Sequence, residues 1–181
     1  MVMETLQLVE KHSAKLGVAS LKPEYKRLGG TQSLIDALLS GQMNFGVTGV
    51  PGLATRWDKT AGTPNEVRAL SAVQSMPFML VTNRPSIKTL RDFTEQDKIA
   101  VPAVKVSVQA ICLQMAAAKE WGHDQYAKLD SLTITRSHPE ATVSVISKAT
   151  EINSHYSVAP FYHYELAAPG VHTVLKSYDT L

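Results

Sequence analysis

The chain has 181 residues, 44% of them hydrophobic and 19% charged, which is enough to bury a substantial core in one large domain or two small ones. The net charge is +2 and the 18 lysine and arginine residues are scattered with no run of three, so the charge pattern excludes a nucleic-acid-binding stripe. The single cysteine, Cys112, excludes an intramolecular disulfide and a multi-cysteine metal site.

No stretch approaches the roughly 18 consecutive apolar residues that a membrane span needs. The first fifteen residues carry Glu4 and Glu10 and lack an uninterrupted apolar core, so they do not form a signal peptide. We therefore expect either a cytosolic protein or one whose leader is absent from this sequence.

The first part of the chain predicts helices that alternate with short strands. Leu6, Val9 and Leu16 face away from charged neighbours and predict an amphipathic helix over 3–16. The elements predicted next, in chain order, are a strand over 23–28, a helix capped by Thr31 and ended by Gly41, a strand over 43–50 with Phe45 and Val47 inward, a helix over 52–60, and strands over 67–73 and 78–81.

The second part repeats the alternation. Its strongest signal is a helix with Val108, Ile111, Cys112, Met115 and Ala116 on one face, which predicts Cys112 to be a buried, inert thiol. The other predicted elements are a short helix capped by Ser86 or Thr89, a strand over 98–101 that stops at Pro102, a strand over 132–135, a helix opened by Ser137 and Glu140 at capping-box spacing, a strand over 152–158, a helix over 160–168 and a strand over 171–175.

Alternating strands and helices predict an α/β fold whose mainly parallel sheets are covered by helices on both faces. The pattern restarts near residue 98. We therefore expect a first lobe over 1–85 and a second over 86–181, with the crossover around 82–98.

Four strand-to-helix turns are candidate binding sites, because helix starts present unpaired amides that suit carboxylate, sulfonate or phosphate groups. They are 29–32, 48–53, 103–109 and 159–162, and we expect 48–53 to form one lip of a cleft. Lys105 and Arg136 are the candidate countercharges for an anion. Every α/β fold has such turns, so a purely structural role for each remains open.

Other chemistries find little support in the sequence. No P-loop, no G-x-G-x-x-G after a strand, no H-E-x-x-H and no G-x-S-x-G is present. His155 and His163 converging with Tyr156 is a weaker, metal-binding alternative. The aromatic cluster around Pro160, formed by Tyr156, Phe161, Tyr162 and Tyr164, fits either a domain core or the wall of a cleft.

Residues 29–56, GGTQSLIDALLSGQMNFGVTGVPGLATR, resemble the periplasmic solute-binding proteins of ABC importers. The branch is the nitrate/sulfonate/taurine/bicarbonate type, which includes thiamine-pyrimidine-precursor proteins. Met76-Pro77-Phe78, Ile87 to Phe93 and Lys98 to Pro102 follow in that family's order, whereas Asn44 stands where an acidic residue is usual. The resemblance implies a two-lobed type II periplasmic-binding fold, of which the N-terminal strand and the C-terminal return segment are expected to be missing, so that the chain is a fragment.

The resemblance further implies a protein that binds a small, anionic solute (nitrate, sulfonate or taurine, bicarbonate) between its lobes and delivers it to a membrane permease. In such a protein the turns over 48–53 and 103–109 would face each other across the cleft. No catalytic residue, cofactor or metal is implied, and neither is nucleic-acid binding or membrane insertion. The expected protein is a monomer, periplasmic or lipid-anchored outside the cytoplasmic membrane. The implied solute-binding residues are Gly30, Thr31, Gln32, Thr48, Gly49, Gln74, Ser75, Met76, Val106, Ser107, Gln109, Pro160 and Phe161.

Two alternatives share the fold. One is a thiamine-pyrimidine-precursor binding or synthesis protein, although the synthesis enzymes are expected to carry a cysteine-rich iron motif and this chain has one cysteine. The other is the effector-sensing part of a transcription regulator, which would need a helix-turn-helix segment upstream.

Overall fold

The computed structural model describes residues 2–28, 31–149 and 151–180, and it places all five of its strands after residue 78. The helices are α1 (Val2–Thr5), α2 (Leu8–Lys15), α3 (Thr31–Leu39), α4 (Val50–Thr60), α5 (Val108–Trp121), α6 (His138–Ser147) and α7 (Phe161–Ala167). The strands are β1 (Met79–Thr82), β2 (Lys98–Val101), β3 (Thr133–Thr135), β4 (Ile152–Ser157) and β5 (His172–Lys176). Short 3-10 turns cover Leu90–Asp92, His123–Gln125, Asp130–Leu132 and Ser177–Asp179.

The five strands form one mixed sheet in the order β3-β2-β4-β1-β5. β2 pairs in parallel with β3 and β4, whereas β1 pairs antiparallel with both β4 and β5. The expectation of a mainly parallel sheet is therefore corrected to a mixed one. The physical reason is that α5, α6 and α7 each return the chain to a strand of the same direction, whereas β1 is followed by a single 3-10 turn and no crossover helix.

Helices cover both faces of this sheet. On one face Leu80, Ile99, Val101 and Tyr156 pack against α5 residues that include Leu113. On the other face Val81 packs with α6 and α7, and Ala100 packs with α6. The central strand β4 is buried along its whole length. Cys112 belongs to the α5 face, and burial raises the pKa of its thiol, as expected for an inert core residue.

The structure bears out most of the elements predicted after residue 78. β2 stops before Pro102, α5 starts at the Ser107 cap and ends before Gly122, and α6 follows the predicted capping box. In that box the Glu140 carboxylate accepts hydrogen bonds from the backbone N–H and the hydroxyl of Ser137, at 3.2 and 2.7 Å. Thr89 caps only one 3-10 turn, where a short helix was predicted.

Before residue 78 the strand predictions are wrong. Residues 23–28, 43–50 and 67–73 are not in strands, and Phe45 and Val47, predicted to point inward, are 73% and 71% exposed. A strand forms only where a neighbour supplies hydrogen-bond partners, and in the described part of the chain these segments pair with none. An alternating pattern of apolar and polar residues does not by itself provide a neighbouring strand.

The predicted first helix is also altered. A left-handed residue, Gln7, with φ of 51°, separates α1 from α2, and Leu6 and Leu16 of the predicted apolar face are exposed. In α3, by contrast, Leu34 and Ile35 are buried, whereas Leu39 near the helix end is exposed. β1 lies inside the range expected for the first lobe but pairs with strands of the second, and the division at residue 85 stays a prediction.

None of the described helices is both long enough and apolar enough to cross a membrane.

Candidate functional site

Three helices begin at one edge of the sheet. β2, β3 and β4 run in the same direction, and each leads from its carboxyl end into a helix: β2 into α5, β3 into α6 and β4 into α7. The helix starts at Ser107, Ser137 and Pro160 therefore lie on the same side of the fold. Such an edge is where open α/β folds bind ligands.

A chain of hydrogen bonds joins the first turns of α5 and α6 to the interior. Gln109 Nε2 lies 3.3 Å from His138 Nε2, and His138 Nδ1 lies 2.8 Å from His155 Nε2 in β4. His155 Nδ1 lies 2.6 Å from Glu165 Oε1 in α7, and the Thr142 hydroxyl donates to the same oxygen at 2.8 Å. Five polar side chains from four elements are thus linked in one continuous network.

The inner end of this chain is excluded from water. The side chains of His155 and Glu165 are 0% exposed, and Glu165 Oε2 is buried with no hydrogen-bond partner in the described part of the protein. Burial by itself raises the pKa of the Glu165 carboxyl. The hydrogen bond and charge of His155, with smaller contributions from the nearby Ser157 and Thr142 hydroxyls, outweigh burial and hold that pKa below its usual value.

Nearer the surface, the chain of hydrogen bonds contains a neutral histidine, His138. Desolvation, with a smaller contribution from the neighbouring His155, lowers the pKa of His138 to about 4, against an opposing effect of Glu165. Phe161, the first residue of α7, stacks on the His138 ring with centroids 5.4 Å apart and ring planes at 17°. His138 therefore connects two residues predicted from the sequence to line a site, Gln109 and Phe161.

The turn that precedes α4 meets the start of α5. A Cβ added to Gly49 would collide with Cγ2 of Val108, so glycine allows the backbone of this turn to lie close to the Val108 side chain. The predicted facing turns, 48–53 and 103–109, are thus in contact at Gly49 and Val108. Gln109 is the next residue along α5.

The other predicted positions are distributed as follows. Thr48, Gln74, Ser75, Val106 and Pro160 are exposed, and Met76 is half-buried with Gln74 Nε2 at 3.2 Å from its sulfur. The Ser107 hydroxyl is used within the helix start, since it donates to the Ala103 carbonyl and accepts from the Ala110 N–H. Gly30 lies outside the described residues, and Thr31 and Gln32 open α3.

Both candidate countercharges are exposed near the helix starts. Lys105 has a left-handed backbone with φ of 66°, and Arg136 donates to the Thr135 carbonyl at 3.1 Å. The described surface has two open depressions. One, of about 370 Å³, follows α4 from Val50 to Trp57, and the other, of about 390 Å³, surrounds Trp121 at the far end of α5.

Sequence reasoning missed His138, Thr142 and Glu165. The available signal was position: His138 directly follows the predicted cap Ser137, and Glu165 is an acidic residue in a short helix next to the buried β4. The structure gives no support to a metal site formed by His155 and His163, because His155 is hydrogen-bonded to His138 and Glu165 while His163 is exposed. Over the described ranges no group of three or more His, Cys, Asp or Glu side chains is placed to hold a metal ion.

This α/β architecture resembles part of a periplasmic binding protein. The chain superposes with a TM-score of 0.63 on the crystal structure of the periplasmic aliphatic sulphonate binding protein SsuA from Escherichia coli, with 16% sequence identity. The match covers 98% of this chain and 56% of that one, so the chain spans little more than half of the length of that protein. No protein-family model matches the sequence, and no curated protein matches it significantly.

Proposed function

We propose that this chain is the solute-contacting part of a binding protein that serves an ABC importer. Outside the cytoplasm, it holds a small, acidic solute, such as a sulfonate, nitrate or bicarbonate, between two lobes. It then delivers this solute to a permease in the membrane. The observation that carries the proposal is the meeting of the turn before α4 with the start of α5, at the edge where α6 also begins. The fold likeness to a periplasmic sulphonate-binding protein is consistent with it.

The physical basis is the polarity of helix starts. The first amides of α5 have no acceptor inside the helix, and the Ser107 hydroxyl satisfies only that of Ala110. An acidic group placed beside the remaining amides gains from them and from the helix dipole, by about 0.3–1 kcal/mol for a surface site. Lys105 and Arg136 would add positive charge at the rim.

The facing wall would come from the first lobe, residues 1–85. Thr48 and Gly49 would contact the solute from the turn before α4, with Gly30, Thr31 and Gln32 beside them and Gln74, Ser75 and Met76 between the lobes. On the second lobe, residues 86–181, the contacts would be Val106, Ser107, Gln109, Pro160 and Phe161. Binding would rest on backbone amides and polar side chains, and no covalent step is part of it.

Calorimetric titration of the full chain with taurine, ethanesulfonate, nitrate and bicarbonate tests the proposal. We expect micromolar-range binding of at least one of these solutes without turnover. No detectable binding of any of the four solutes would contradict the proposed function.

Thr48→Ala tests the facing turn. Its side chain is exposed at the turn, and loss of a hydroxyl that bonds the solute should weaken binding by about 1 kcal/mol or more, close to fivefold. Thr55→Ala is the matched control, because the Thr55 hydroxyl is also exposed but donates to the Pro51 carbonyl inside α4. If the two variants bind the solute with equal affinity, this turn has a purely structural role.

A further inference from the structure

His138, His155 and Glu165 form one proton-binding unit. His138 Nδ1 lies 2.8 Å from His155 Nε2, and His155 Nδ1 lies 2.6 Å from Glu165 Oε1. Each of these short contacts needs one proton between its two atoms, whichever of the two atoms owns that proton. A carboxylate and two imidazoles that hold only these two protons carry one net negative charge.

The unit has a further place for a proton, the outer ring nitrogen of His138. This nitrogen, Nε2, lies 3.3 Å from Nε2 of Gln109 at the start of α5. A proton that enters there from solvent brings the unit to zero net charge, and the proton between the two rings then shifts to His155, beside the Glu165 carboxylate. The Gln109 amide has both donors and an acceptor, so it can turn over to accept from the protonated nitrogen.

In the protein alone, the surroundings of His138 oppose this third proton. Desolvation, with a smaller contribution from His155, lowers the pKa of the His138 ring to about 4. In the described part of the chain, the titratable groups that face the ring are His155 from β4 and Glu165 from α7, whereas Gln109 from α5 and Phe161 from α7 are uncharged. Of these groups, only Glu165 favours protonation of His138.

The charged groups that precede α5 and begin α6 do not offset this opposition. Lys105 and Arg136 are exposed cations, which disfavour a further positive charge. The Glu140 carboxylate is engaged by the backbone N–H and the hydroxyl of Ser137. An anion bound at the edge where α5, α6 and α7 begin would supply the missing negative charge on the outer side of the ring.

His138 lies where it would sense such an anion. It is the first residue of α6, Phe161 stacks on its ring, and Gln109 contacts its outer nitrogen. Phe161 and Gln109 are both among the residues proposed to surround the solute. On the inner side, Glu165 is 0% exposed, so solvent does little to screen its charge from the two rings.

We propose that His138, His155 and Glu165 form a proton site that fills when an anion binds at the adjoining edge, so that the protein takes up the anion and one proton together. The inference rests on the proposed function and deepens it, because the proton is a second ligand that regulates the same site. The anion stabilises the added positive charge, and the added proton removes the net negative charge that would repel the anion. By linkage, each raises the affinity of the other by the same factor.

Nitrate, ethanesulfonate and taurine test this coupling in the full chain, because each keeps its charge between about pH 5 and pH 7. A proton taken up on binding therefore enters the protein. We expect the most tightly bound of the three to bind at least about threefold more tightly at pH 5 than at pH 7 by calorimetry. In unbuffered solution at pH 5, its binding should consume about half a proton or more per bound anion, measured by the acid needed to hold the pH.

His138→Gln should abolish the proton uptake and reduce the change in affinity over this pH range to less than about twofold, the part that comes from the overall charge of the protein. His163→Gln is the matched control, because His163 is exposed and lies outside the unit, and it should retain both effects. NMR provides a second measurement without any substitution. The ring protons of His138 and His155 in the unaltered protein should titrate at least about one pH unit higher when the anion is saturating.

Anion binding without proton uptake, at an affinity that does not depend on pH, would overturn the inference and leave the proposed function standing. Proton uptake that persists in His138→Gln, or imidazole titrations that the anion does not move, would also overturn it. If nitrate, ethanesulfonate and taurine all fail to bind at both pH values, the inference fails. If bicarbonate does not bind either, the proposed function fails with it.

Discussion

At the scale of single residues, His138 shows how surroundings set chemistry. It lies at the first position of α6, where its ring is flanked by Phe161, His155 and Gln109. Burial and the adjacent imidazole both disfavour its charged form, so the ring acts as a neutral link. In the sequence His138 is notable only because it follows the capping residue Ser137, yet in the structure it links Gln109 to His155.

The lowered pKa of His138 makes stability depend on pH. Its pKa is about 4 in the folded protein and about 6.5 in an unfolded chain, so the unfolded state binds more protons between these values. The stabilisation is complete above about pH 6.5 and is lost as pH falls toward 4. By pH 5 the loss from this residue should be about 2 kcal/mol, measured by urea unfolding at pH 7 and pH 5.

His138→Gln should flatten that pH dependence, whereas His163→Gln should leave it unchanged because His163 is exposed. Titration of the His138 ring protons by NMR gives the pKa directly. A midpoint near 6.5 would contradict the desolvated, neutral state of the His138 ring.

At the scale of elements, the contact between α4 and α5 depends on one missing methyl group. Gly49 has φ of −75°, which alanine adopts without strain, so any cost of Gly49→Ala comes from the collision with Val108. We expect Gly49→Ala to lower the free energy of unfolding by about 1–2 kcal/mol, as overpacking of a close contact does.

Val108→Ala removes the methyl group that the new Cβ would meet. The double variant Gly49→Ala/Val108→Ala should therefore be more stable than the sum of the single changes predicts, and a double-mutant cycle measures this coupling. Strictly additive effects would show that the two turns do not approach each other in solution.

The elements predicted correctly are those with local signals. The start of α5 has a serine cap, α6 a capping box, and β2 a proline that ends it, and each acts within a few residues. The predicted strands over 23–28, 43–50 and 67–73 depend on partners from elsewhere in the chain, and a pattern of side chains does not specify those partners.

At the scale of the whole molecule, most of the buried residues lie after residue 78. β4 is buried throughout, while residues 68–75 are exposed and belong to no strand. Hydrogen exchange should therefore show slow amides in β1 and β4 and fast amides over 68–73. Protection over 68–73 equal to that of β1 would show that this segment forms the strand its sequence pattern predicts.

The sequence by itself determined the α/β class, the order of elements after residue 78 and the buried thiol of Cys112. These follow from periodicity, capping and glycine spacing, which are local. Only the tertiary structure decided the antiparallel placement of β1 and the chain from Gln109 through His138 and His155 to Glu165. That chain joins residues up to 56 positions apart, and such a contact exists only once the sheet has brought their helices to one edge.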